Sequence, residues 1–173
     1  MSLNPQVMER KTGMNASANQ RPVHLAGSVL DRARHVCAFF HTRDEEYQVL
    51  MPFVREGFEH GDRAFHIVAP DHRSDHLERL RQEGIDTVRA EEKDQLRVIP
   101  WEDAYLRGGH FDQNSMLALI EEVLTEGRKL GFPLTRLVAN MEWALEDRPG
   151  VDDIVEYETR LNFVLPRYDD AVT

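Results

Sequence analysis

From His35 onward the sequence switches repeatedly between two hydrophobic periods, and this alternation limits the folds open to the chain. The run 35–40 is short, apolar and bounded by charge, which suits a buried strand. Behind Asp44, the residues Tyr47, Leu50, Met51, Val54 and Phe58 recur at spacings of three and four, the stripe of an amphipathic helix. Pro52 lies inside that stripe and is expected to kink or divide the helix, and Gly61 ends it. Residues 64–69 read as a second strand, Pro70-Asp71 opens a helix to about Glu83, and Gly84 stops it. Thr87-Val88 and residues 96–99 read as two further short strands. Asp112 is placed to cap a helix marked by Met116, Leu117, Ile120, Val123, Leu124 and Gly131. Residues 134–141 form another strand, and Asp152 caps a last helix to about Leu165. Strands separated by helices of this length need right-handed crossovers and a sheet covered on both faces. The expectation is a three-layer α/β/α domain with a mostly parallel sheet.

Composition narrows the function. The 173 residues carry a formal net charge of -10, which disfavours a nucleic-acid backbone or an anionic membrane surface as the main partner. A single cysteine, Cys37, forbids an internal disulfide, and no apolar run approaches the ~20 residues of a membrane span. These features point to a cytoplasmic domain. Residues 1–33 are polar and turn-rich, with a cloning-remnant-like Met1-Ser2-Leu3 and a chance glycosylation triplet at Asn15-Ala16-Ser17. They read as a flexible N-terminal arm ahead of a folded unit at 34–173.

Ligands of open parallel sheets bind beyond the carboxyl ends of the strands. Those ends carry Phe40-His41, Pro70-Asp71, Trp101-Glu102 and Glu142-Trp143, with Tyr105 one turn past Trp101. Phe40, Trp101, Tyr105 and Trp143 are therefore candidate walls of a pocket for a small apolar ligand, with His41 and Glu142 as its polar contacts. The alternative is that these aromatics only cover the sheet. Leu134, Arg136, Val138, Asn140 and Glu142 share one side, growing more polar toward the strand's end, as a solvated cleft would require. The turn His41-Thr42-Arg43-Asp44-Glu45-Glu46 has no glycine and three successive acids, so it lacks the means to cradle phosphates.

Other groups have competing readings. Glu158 falls inside the apolar stripe of the last helix, where a carboxylate must be paired, protonated or at a cavity edge. It is either a ligand or relay contact or the partner of an arginine or of His35. His72 and His76 lie four apart on a helix, a spacing that can bind zinc, yet no third ligand is evident. Cys37 sits mid-strand, where thiols are normally inert, and no metal or cofactor is assigned.

The run 35–40, Pro52-Phe53-Val54-Arg55-Glu56-Gly57-Phe58, Trp101-Glu102-Asp103-Ala104-Tyr105 and Gly109-His110-Phe111-Asp112 come in a recognisable order. Asn140-Met141-Glu142-Trp143-Ala144-Leu145 and Tyr157-Glu158-Thr159-Arg160-Leu161-Asn162 follow. Together they resemble the MEDS family, the sensory domain of methanogens, methylotrophs and the dichloromethane regulator. The resemblance implies a RecA/KaiC-like core without its phosphate loop and a signal-sensing role toward hydrocarbon derivatives. By matching motif it makes His35, Tyr105, Glu142 and Glu158 the family-typical polar positions. Members continue into a further strand that would begin at Asp170, where this sequence ends, so the expectation is either that the sequence is cut there or that the strand is lacking.

The leading expectation is thus a non-enzymatic sensor that binds a small, largely apolar ligand and acts on a regulatory partner by population shift. Two alternatives stay open: an interaction module without a small ligand, including a homo-oligomer through an open sheet edge, and an enzyme using His41 and Glu142.

Overall fold

A computed structural model describes residues 21–30 and 34–173. The arm's first twenty residues, with the remnant and the glycosylation triplet, lie outside the described residues, as do residues 31–33.

Four strands build the central sheet: β3 (Arg63–Val68), β4 (Leu96–Pro100), β5 (Thr135–Ala139) and β6 (Ala171–Val172). They lie in the order β4-β3-β5-β6, and every pairing is parallel. Before them, β1 (Val23–Leu25) and β2 (Ser28–Leu30) pair as an antiparallel hairpin. The helices are α1 (Arg43–Glu59), α2 (Arg73–Gln82), α3 (Thr87–Glu92), α4 (Gln113–Lys129) and α5 (Ile154–Val164).

The pleat of β3 sends successive side chains to opposite faces, and both faces are covered, so all six of its residues are buried. Ala64 and Val68 join Leu96, Val98 and Val138 in a core with α1, α2 and α3. Phe65 and Ile67 join Leu137 and Val172 in a second core with α4 and α5. The three-layer α/β expectation is met by this parallel sheet between two helical layers.

Helix starts follow local chemistry. The Thr42 hydroxyl accepts from the Glu45 amide at 3.2 Å, and the Asp112 carboxylate accepts from the Ser115 amide at 2.7 Å. Each satisfies one of the otherwise orphaned first-turn donors. α1 runs undivided through Pro52.

Four expectations are corrected. Thr87-Val88 is not a strand but the start of α3, because the Asp86 carboxylate accepts from the Arg89 amide at 3.1 Å and caps a helix there. The run 35–40 is not a buried strand. It makes one bridge, His35 to Val172, and Phe39 is 95% exposed, because β6 offers no ladder position beyond Val36. The segment 23–30, placed in the arm, is ordered: Val23 and Leu25 are buried against α1, and the Glu56 carboxylate accepts from the His24 amide at 3.1 Å. The final strand expected to be lacking is present as β6, held to β5 at Arg136–Ala171 and Leu137–Val172.

Candidate functional site

A cavity of about 30 Å³, room for roughly one water molecule, lies at the carboxyl ends of β3 and β5 beneath α1 and α2. Its floor is apolar, from Leu50, Met51, Val54, Ile67, Val68, Leu80 and Val138, while Arg43, Glu46, Tyr47, His72, His76 and Asn140 bring polar groups to it. Of the residues read as facing a cleft, Val138 and Asn140 line this space, while Leu134, Arg136 and Glu142 are not among its lining.

A hydrogen-bonded chain leads from the cavity into the sheet. The Tyr47 hydroxyl is 2.6 Å from His76 Nδ1, and His76 Nε2 is 2.7 Å from His66 Nδ1. His66 is fully buried in β3, and its Nε2 has no partner among the described residues. One consistent arrangement has Tyr47 donate to His76 and His76 donate to His66, both rings neutral. Burial enforces that neutrality, lowering His76 to about 4 and His66 well below its ordinary value. Burial also raises Tyr47, and raises Glu46, which in addition feels the Glu142 carboxylate.

His72 Nε2 is held 2.6 Å from the Arg43 guanidinium, and both ring nitrogens of His76 are engaged. The two histidines therefore do not converge on a common point, despite their helical spacing.

The sequence-nominated residues divide between the two faces. Trp101, Tyr105 and Trp143 are buried in the α4/α5 core. Tyr105 lies 5.0 Å from Trp143 between ring centroids, and Phe111 lies 5.2 Å from Trp143 and 5.5 Å from Tyr157, so these rings pack on one another. Phe40 packs with the α1/α2 core, and His41 is exposed, its backbone amide donating to Glu45 at 2.9 Å. Glu142 is exposed, and its amide donates to the Asn140 side chain at 3.1 Å, beside the cavity. No hydrogen bond or ion pair joins His41 to Glu142 among the described residues.

A second polar group forms on the α5 side. Glu158 faces His35, with Nε2 and Oε2 3.2 Å apart, and the Cys37 thiol donates to the same oxygen at 3.2 Å. The hydrogen bond to Glu158 raises His35, whereas burial, followed by this carboxylate, pushes the Cys37 thiol up to about 11.

Sequence reasoning missed the Tyr47–His76–His66 chain. The available signal was His66 itself, a lone polar side chain in an apolar buried run, which had to find a partner.

Residues 34–172 match the family described as MEDS, the methanogen/methylotroph, DcmR sensory domain. The chain belongs to the MEDS family. This MEDS domain is similar to the transcriptional repressor DcmR of Methylorubrum extorquens, at 28% identity over 147 residues. The match covers 85% of this chain and 52% of the repressor, so the chain spans about half the length of the curated relative it matches. No solved structure matches the MEDS domain described here. Among the described residues, no helix is long and apolar enough to cross a membrane.

Proposed function

We propose that this MEDS domain senses a small hydrocarbon derivative at the carboxyl ends of β3 and β5, and reports its binding to a transcriptional or signalling partner. The observation that carries the reading is the cavity under α1 and α2, with an apolar floor and a polar end built by Arg43, Tyr47, His72 and Asn140. An apolar floor with few convergent polar groups is the usual make-up of a small-ligand site. At about 30 Å³ the space must widen for any ligand larger than water, so binding shifts the domain toward an expanded state. Phe40, His41 and Glu142 serve as rim contacts, while Trp101, Tyr105 and Trp143 brace the sheet from its other face. The core is read as RecA/KaiC-like, with the acidic start of α1 standing where a nucleotide-binding relative would hold phosphate.

Calorimetric titration with a series of short halogenated and hydroxylated hydrocarbons tests this. Saturable binding by one class, lost in Val138→Phe with the fold intact by circular dichroism, is the expected result. Binding that Val138→Phe leaves unchanged would overturn the assignment of the site.

A second reading, an interaction module without a small ligand, has one observation in its favour. Trp101 and Trp143 fill the α4/α5 side of the strand ends, while Phe39, Leu145 and Phe163 are 95%, 88% and 77% exposed. Such side chains suit a protein partner or a second copy. Sedimentation of the ligand-free protein separates the readings, since concentration-dependent dimerisation without any ligand supports the second.

A further inference from the structure

His35, Cys37 and Glu158 bring three unlike donor atoms to one point, an imidazole nitrogen, a sulfur and a carboxylate oxygen, all within 4.8 Å of one another. We propose that they form a mononuclear site for a divalent cation of the zinc class, with three protein ligands and the fourth position open to solvent.

The geometry arises where the segment after the His35 bridge passes α5. His35, bridged to Val172, and Cys37 two residues on both reach the same Glu158 oxygen, while Glu158 and Asn162 are one turn apart on α5. A tetrahedral zinc centre has metal–nitrogen and metal–oxygen bonds of about 2.0–2.2 Å and metal–sulfur bonds of about 2.3 Å, which sets its ligand atoms roughly 3.3–3.7 Å apart. The nitrogen–oxygen and sulfur–oxygen separations here are both 3.2 Å, so a small outward movement of each donor admits the ion.

The surrounding groups suit coordination. His35 Nδ1 lies 3.2 Å from the Asn162 side-chain oxygen. As a donor there, it leaves Nε2 unprotonated toward the site, the outer contact that orients a metal-bound imidazole. The His35 side chain is 10% exposed, Glu158 is 24% exposed and Cys37 is exposed, so the group is partly shielded yet reachable from solvent. Thiolate and imidazole select zinc-class ions over magnesium or calcium. Binding displaces the thiol proton, and the Nε2 proton wherever His35 is charged, both released to solvent, and nothing is oxidised or reduced. Thiolate and carboxylate together then neutralise the two charges of the ion.

The site shares no residue with the cavity under α1 and α2, so it stands or falls separately from the ligand reading. Its consequence is mechanical. Beyond Val36 the segment has no ladder partner in β6, and a metal bond from Cys37 would tie it to α5.

Titration of the reduced, chelator-treated chain with Co²⁺, followed by competition with Zn²⁺, tests the site. The expected result is one equivalent of Co²⁺ with a thiolate-to-metal charge-transfer band and the visible absorption of a four-coordinate ion, both bleached by Zn²⁺. Cys37→Ser abolishes the charge-transfer band, and Glu158→Gln and His35→Gln each weaken binding at least tenfold. Asn162→Ala, which touches no metal, weakens it about 10–100-fold, as loss of an outer partner does. Melting curves without metal establish that each variant folds. No thiolate band at one equivalent overturns the site. So does a band of unchanged affinity in both Glu158→Gln and His35→Gln, which would mean that Cys37 binds metal adventitiously.

Discussion

The two faces of the sheet bury comparable numbers of apolar residues in different ways. On the α4/α5 face, Trp143, Tyr105, Phe111 and Tyr157 pack on one another at tilted and edge-on angles within one apolar core. On the α1/α2 face a chain of polar rings, Tyr47, His76 and His66, runs from the cavity into the sheet. Both faces use the same device where a buried polar side chain crosses the helix layer. Gly57 of α1 makes room for Arg136, and Gly127 of α4 makes room for Thr135. Arg136 is in turn held by Asp62 at 2.9 Å and Glu56 at 2.8 Å, so its charge is compensated. The contrast lies at the carboxyl ends of the strands, where aromatic rings pack together on one face and polar groups line a cavity on the other.

The largest effect should come from emptying the packed face. Trp143 is 0% exposed, and Trp143→Ala is expected to destabilise the domain by about 3–5 kcal/mol, measured by urea denaturation. A loss below about 1 kcal/mol would mean that this face is not the rigid one.

Acid should act next, with opposite signs on the two sides. His76 has its folded value lowered from 6.5 to about 4, so the unfolded chain binds more protons between these values. Its contribution is complete above pH 6.5 and is lost as pH falls toward 4, a loss of roughly 3 kcal/mol. His35 is raised by Glu158, so its contribution is present below 6.5 and lost as pH rises through its folded value. Imidazole resonances followed by NMR should show His35 titrating above His76. The difference between urea curves of the wild type and His76→Gln at pH 7 and pH 4 isolates the His76 term. Equal midpoints for the two histidines would break the contrast.

The shared glycine device predicts a smaller loss. A Cβ on Gly127 would stand 2.3 Å from the Thr135 hydroxyl, and Gly127→Ala should cost about 1–3 kcal/mol. The hydroxyl has no partner among the described residues, so adding Thr135→Ala should recover most of that loss. Gly57→Ala meets Arg136 Cδ at 2.6 Å and Nε at 2.9 Å, on a buried side chain held by Asp62 and Glu56, and should cost at least as much. Thermal melts of the single and double variants decide this. The smallest effect is expected at a surface cap: Asp112→Ala removes the bond to the Ser115 amide and should cost about 1 kcal/mol, read from the urea midpoint.

Much of this arrangement was legible from local pattern. The stripes of α1 and α4, the caps at Asp112 and the stops at Gly61 and Gly84 are short-range signals, and they placed the helices within a few residues. Local pattern failed where a partner decides the outcome. Val36, Cys37, Ala38, Phe39 and Phe40 have the composition of a strand, but a strand exists only beside another, and β6 provides too little ladder. Val23 and Leu25 look like stray apolar residues in a polar arm until α1 is there to cover them.

The candidate site shows the same division. The sequence by itself determined the alternation of β3, β4 and β5 with α1, α2, α4 and α5, and the lack of a glycine in the turn before α1, because these depend on period, caps and residue type. Which strand-end residues meet was decided by the tertiary structure. His66 and His76 are ten positions apart and become neighbours only when α2 folds back over β3. His35 and Glu158 are joined by the packing of α5 against the sheet edge. Distances of this kind are set by crossovers and layer packing, and these depend on long-range burial that local spacing does not encode.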